Sequence, residues 1–165
     1  MKTITKTIMY LQVAVLCFAT AFAGPNLKKK DFSGPIASVE TDDIDFATLI
    51  MLVDGAGTGQ AEHLGQFTYT FEFVVDLSTI IGVGSAEFTA ANGDSFSTTI
   101  TASGVLNTPP GFNRVIEQHT IVGGTGRFAG ASGSFILDRL VTATGTNPAV
   151  SVGTVDGTIV TSKSN

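Results

Sequence analysis

From Ile44 onward, apolar and polar residues alternate with a period of two rather than 3.6. Phe67, Tyr69, Phe71, Phe73 and Val75 are interleaved with Gln66, Thr68, Thr70, Glu72 and Asp76, and only Val74 breaks the pattern. Such alternation predicts a strand with one buried face. Two shorter runs, 86–90 and 96–101, flank Ala91-Asn92-Gly93, a hairpin signal. A two-residue loop would set Phe88 opposite Ser97. A three-residue loop ending in a glycine bulge sets Phe88 opposite Phe96 and Ala86 opposite Thr98, keeping the apolar side chains on one face. The second register is the expected one.

Similar runs predict strands at 45–53, 115–122, 134–144 and 150–160, with 36–41 as an eighth candidate. Loops are expected at 104–111, around Pro109-Pro110, and at 145–148. Gly and β-branched residues interrupt every window long enough for a sizeable helix. The expectation is therefore an all-β, antiparallel domain, which removes its exposed edges by closing into a barrel. Two segments carry apolar residues on both faces. Around 46–53 these are Phe46, Ile50 and Leu52 against Ala47, Leu49, Met51 and Val53; around 135–141 they are Phe135, Leu137 and Val141 against Ile136 and Leu140. With no helix to cover a second apolar face, a neighbouring subunit of a homo-oligomer is the expected cover.

The start of the chain reads differently. Lys2 and Lys6 precede an apolar run from Ile8 to Phe22, and Ala21-Phe22-Ala23 places small residues where a signal peptidase cuts. The run is too short to span a bilayer, and Leu16 before Cys17 does not suit lipoprotein processing. The expected organisation is a signal peptide at 1–23, a flexible leader at 24–43 and one β-barrel domain at 44–165, in a secreted or periplasmic protein without a membrane span after cleavage. Removal of 1–23 takes the single Cys with it, so neither disulfide nor thiol chemistry is expected. The formal charge of −5, with 9 Lys+Arg against 14 Asp+Glu, argues against nucleic acid as a partner. The loss of Lys2 and Lys6 makes the balance more acidic still.

The most distinctive stretch is Gly123-Gly-Thr-Gly-Arg-Phe-Ala-Gly-Ala-Ser-Gly133. Its Gly124-x-Gly126-x-x-Ala129 spacing matches a dinucleotide fingerprint, but Gly130, Ser132 and Gly133 deny it the following helix, and Thr146 stands where an acid is needed. The stretch instead resembles the Gly-Gly-Thr-Gly-x-Phe-x-x-Ala-x-Gly signature of dirigent proteins and allene oxide cyclases. It is most similar to that of bacterial secreted members with an allene oxide cyclase-like barrel. The hairpin at 86–94 and the segment His63–Thr68 are similar to these too, so the resemblance covers about 60–160. It implies a closed, calycin-like, eight-stranded barrel, often trimeric, with an apolar cavity. Neither activity carries over. Ser132 stands where dirigent proteins have an Arg, and 44–53 does not match the acidic, Asn-bearing first strand of allene oxide cyclases. The glycines themselves suit a tight corner between strands, with Phe128 packing inward.

Candidate chemistry is sparse. Glu117 and His119 share one face of their strand with Val115 and Ile121, whereas Ile116, Gln118, Thr120 and Val122 form the other. Either face can be interior, and an exposed Glu117–His119 pair is the default. Asp138 and Arg139 fall on opposite faces, so one of them points inward and needs a partner. No Gly-x-Ser-x-Gly, Walker or His-Glu-x-x-His motif occurs. The acidic run Glu40, Asp42, Asp43, Asp45 lacks the glycine turn of a calcium loop, and no metal or other cofactor is expected. The reading is a non-enzymatic barrel that binds a small apolar ligand, or acts as a structural or interaction domain, with Tyr69, Phe71, Phe73, Phe88 and Phe96 lining its cavity. The rival is a cofactor-free isomerase or cyclase using Glu117, His119, Asp138 or Arg139.

Overall fold

The computed structural model describes residues 27–143 and 147–162, so the signal segment and its cleavage site lie outside the described residues. Eight antiparallel strands follow one another around a closed barrel. They are β1 (Leu27–Asp45), β2 (Ile50–Ala61), β3 (Gly65–Asp76), β4 (Ile81–Ala90), β5 (Ser95–Val105), β6 (Phe112–Gly124), β7 (Ser132–Thr142) and β8 (Ala149–Ser162). The 86–101 hairpin has the expected register, with Phe88 opposite Phe96 and Ala86 opposite Thr98, and Gly93 takes a φ of 87° in its turn.

Two boundaries differ from expectation. Residues 27–43 are not a flexible leader. They belong to β1, which pairs with β8 from Leu27↔Ser162 to Glu40↔Ala149 and with β2 from Ile36↔Gly59 to Asp45↔Ile50. Between Ile36 and Ile44 its inward positions are Ser38, Glu40 and Asp42, so polar interior residues hide the period-two signal. The strand expected at 45–53 is likewise two strands: β1 ends at Asp45, residues 46–49 turn, and β2 runs from Ile50 to Ala61. Phe46 is exposed in that turn, which removes one of the three residues of the apparent second apolar face.

On β2, Gly55, Gly57 and Gly59 face inward directly opposite Phe71, Tyr69 and Phe67 of β3. The aromatic rings occupy the space a side chain on β2 would take; a Cβ on Gly57 would lie 2.5 Å from the Tyr69 ring. Small residues on one strand thus accommodate large ones on the next, as close packing inside a narrow barrel requires.

One end of the barrel is filled. Phe32, Phe67, Phe88, Phe96 and Phe135 pack together there, with Phe88 and Phe96 stacked at 5.0 Å and Phe32 edge-on to Phe135 at 4.8 Å. The glycine-rich segment closes this end. It forms a single 3-10 turn, Gly126–Phe128, with Phe128 against Phe96 at 5.2 Å. Asp94 accepts hydrogen bonds from Arg127 N and Asn92, and Thr125 Oγ1 accepts one from Ser95 N, tying two loops together. The role of the motif here is that of a corner: it ends one strand, reverses the chain and delivers a plug.

Candidate functional site

Above the aromatic plug the interior becomes polar. Residues 115, 117, 119 and 121 form the inward face of β6, so Glu117 and His119 are buried, contrary to the exposed default. Glu117 lies diagonal to Arg139 across the β6–β7 ladder, and its Oε1 accepts from Arg139 Nε at 2.5 Å. Arg139 is buried because Gly153, its partner on β8, has no side chain to compete for the space. The guanidinium also donates from Nη1 to Glu40 of β1 and to Ser151 Oγ at 3.3 Å, and it lies over the Phe71 ring at 4.9 Å. Ser151 in turn bonds to Ser38. Asp138 points outward and pairs with Arg114 at the surface, where that hydrogen bond holds its carboxyl below the usual range.

On the far side of Glu117, Oε2 accepts from His119 Nε2 at 3.0 Å, and His119 Nδ1 meets Thr98 Oγ1 at 2.9 Å. An ionised carboxylate can only accept, so a proton sits on Nε2 toward Glu117, while Thr98 Oγ1 lies within hydrogen-bond distance of both His119 Nδ1 and the Ala86 carbonyl, the latter at 3.5 Å. The imidazole stacks on Phe135 at 4.5 Å. A continuous chain therefore runs Glu40–Arg139–Glu117–His119–Thr98 through the barrel. Its last three members have the order of an acid, a base and a hydroxyl, but Thr98 is only 1% exposed and does not line the cup described below.

The two carboxylates respond differently to the single guanidinium. Burial pushes Glu117 up, but Arg139 and His119 outweigh it and hold the carboxyl below its ordinary range. At Glu40 burial wins over Arg139, and the carboxyl is raised. Burial also disfavours the charged form of Arg139, yet Glu117 and Glu40 together make it hold its proton more tightly than a free arginine. Tyr69 is pushed up to about 12 by burial, against a weaker lowering by the neighbouring Ser38, and its hydroxyl makes no well-formed hydrogen bond among the described residues.

Beyond this network the barrel is hollow. A cup of about 230 Å³ opens at the end opposite the plug. Its walls include Met51, Val53, Phe73, Val75, Ala102 and Val115, and its polar lining includes Glu40, Arg139 and Asp42. Of the five aromatic residues expected to line a cavity, Phe73 stands on this wall. Phe88 and Phe96 are fully buried in the plug, while Tyr69 and Phe71 belong to the packed middle, stacked at 5.7 Å. Sequence reasoning missed Glu40, Ser38, Thr98 and Ser151. For Ser38 and Glu40 the signal available was a period of two through 36–44, where they share an inward face with Ile36, Asp42 and Ile44. Among the described residues no group of three or more His, Cys, Asp or Glu could hold a metal ion.

No protein-family model and no curated protein matches the chain in sequence. Among solved structures, a pterocarpan synthase dirigent protein matches with a TM-score of 0.59 at 11% identity, covering 84% of this chain and 88% of that one. At that identity the likeness establishes the fold, a dirigent-like barrel, and carries no chemistry with it.

Proposed function

We propose that this chain is an exported, non-enzymatic barrel that binds a small, largely apolar ligand in the open cup. One observation carries the reading: the cup joins an apolar wall to a charged floor, while Thr98, His119 and Glu117 do not line it. Its volume of about 230 Å³ suits a ligand smaller than a drug-sized one. Export rests on the signal sequence, and β1 begins at Leu27, just after the expected cleavage point at Ala23. The glycine motif supports a finer kinship with secreted allene oxide cyclase-like barrels. A cyclase or isomerase remains the second reading, favoured by the inward Glu117–His119 pair; conversion of a bound ligand, abolished by Glu117→Gln, would establish it.

The binding test is an NMR titration with straight-chain alcohols from hexan-1-ol to octan-1-ol. Saturable shifts should appear at Phe73, Val75, Ala102 and Val115, with affinity rising about fourfold per methylene until the cup is full. Ala102→Leu, which fills the cup, should abolish them. The absence of saturable shifts with every alcohol would overturn the reading.

The outer surface supports self-association. Val39 pairs with Val150 and Leu140 with Val152, forming an apolar row across β7, β8 and β1. Leu52, Val74 and Val83 form a second row across β2, β3 and β4. Five of these seven are about half exposed and Val152 more so, the pattern of surfaces that a second copy would cover. A homo-oligomer follows, with the trimer drawn from the family resemblance. Native mass spectrometry finding only monomer would refute it.

A further inference from the structure

The acidic and basic side chains at the cup floor do not match in number. Two carboxylates, Glu117 and Glu40, share one guanidinium, Arg139. Arg139 spends Nε on Glu117 and Nη1 on Glu40 and Ser151. Glu40 gives Oε2 to Arg139, and its Oε1 makes no hydrogen bond among the described residues. Its side chain is 11% exposed and lines the cup. Asp42, two residues on and on the same inward face of β1, adds a third carboxylate to the lining. The other polar groups there, Ser103 of β5, Asn113 of β6 and Thr142 of β7, carry no charge. His119 contacts Glu117 from the plug side and does not reach the cup.

The wider charge distribution has the same sense. All lysines among the described residues, Lys28, Lys29 and Lys30, lie at the plugged end of β1. The open end carries Asp42, Asp43, Asp45 and Asp76, and Arg114 nearby is already paired with Asp138. Such a field favours cations at the mouth and repels anions. An anionic head would bring another carboxylate to a guanidinium that is already shared by two.

From this imbalance we propose that the cup takes a small apolar amine. Its ammonium head donates to Glu40, with Asp42 as second acceptor, and its hydrocarbon tail lies along Phe73, Val53 and Met51. The ligand supplies the positive charge that the floor lacks, and a charge-assisted hydrogen bond in an apolar cup is stronger than its neutral counterpart. This rests on the binding reading above and adds the class of head group.

The test is a matched series, hexylamine, hexan-1-ol and hexanoate, titrated at pH 7 into the full chain by NMR. Hexylamine should bind at least about tenfold more tightly than hexan-1-ol, with hexanoate weakest. Glu40→Gln should weaken hexylamine about tenfold or more, to within about twofold of hexan-1-ol measured on the same variant, and Asp42→Asn should weaken hexylamine by about threefold. If Glu40→Gln does not fold, the head-group series and Asp42→Asn decide alone. Equal binding of amine and alcohol, or tighter hexanoate, overturns the amine assignment but leaves a binding cup. Failure of all three to shift cup residues overturns the cup itself.

Discussion

Replacing Arg139 by Met isolates the charge network. The guanidinium is 3% exposed, bonds to two carboxylates and a hydroxyl, and lies over Phe71. Met keeps much of the hydrocarbon but leaves Glu117 and Glu40 buried without a cation. Breaking a buried ion pair from one side costs about 3–5 kcal/mol, and two stranded carboxylates place this variant at the upper end. Each can escape by taking up a proton, so the loss should be larger at pH 7 than at pH 5. Replacing the whole set, Arg139→Met with Glu117→Gln and Glu40→Gln, removes the stranded charges and should recover most of the stability. Urea unfolding followed by far-UV circular dichroism at both pH values measures each step. A single-variant loss below about 1 kcal/mol at pH 7, or a loss that grows on acidification, would refute the reasoning.

Phe88→Ala should cost about 3–5 kcal/mol, since Phe88 is fully buried and touches four other rings of the plug, whereas Leu52→Ala on the outer face should change the stability of the isolated barrel by about 0.5 kcal/mol or less; urea midpoints compare the two. Tyr69→Phe removes a buried hydroxyl that makes no well-formed hydrogen bond among the described residues and has only Ser38 beside it, so it should change stability by no more than about 1 kcal/mol, read from the same curves. The two glutamates have opposite pH signatures. Glu117, held low, contributes stability that is present above its unfolded value near 4.5 and is lost as pH falls through its lowered folded value. Glu40, held high, binds its proton more tightly when folded, so stability declines as pH rises from about 4.5 through its raised value; Glu40→Gln should flatten that decline in a stability–pH profile.

The strands that were legible in the chain are those whose inward residues are apolar. Residues 67–75 and the 86–101 hairpin announce themselves because every inward position is a Phe, Tyr, Val, Ile, Ala or Thr, and a one-residue slip would expose all of them. β1 was not legible past Ile36 because its inward positions are Ser38, Glu40 and Asp42, which look solvated until Arg139 and Ser151 are brought opposite them. β2 was truncated for the opposite reason: Gly55, Gly57 and Gly59 carry no hydrophobic signal, and their purpose appears only beside the rings of β3. The orientation of β6 was undecidable because both of its faces mix apolar and polar residues. The interior position of Glu117 and His119 follows only from the fold, in which Arg139, some twenty residues away, lies diagonal to Glu117 across the ladder and donates to it.

The charged layer also separates the two halves of the barrel. On its plug side, His119 stacks on Phe135 and lies edge-on to Phe88, so the polar chain ends against aromatic faces. On its cup side, Arg139 and Glu40 leave the wall unfilled, where a Leu or Phe in place of Glu40 would have extended the plug. Well-packed hydrophobic residues in place of a buried ion network are often neutral or stabilising, so stability alone gives no reason to hold three charged groups there. On the proposed reading, a layer in which Glu40 Oε1 makes no hydrogen bond among the described residues, beside an open apolar cup, suits a ligand with a polar head. The cost of burying the network is on that reading set against binding rather than against folding, and the hollow end and the surplus of carboxylates share one cause.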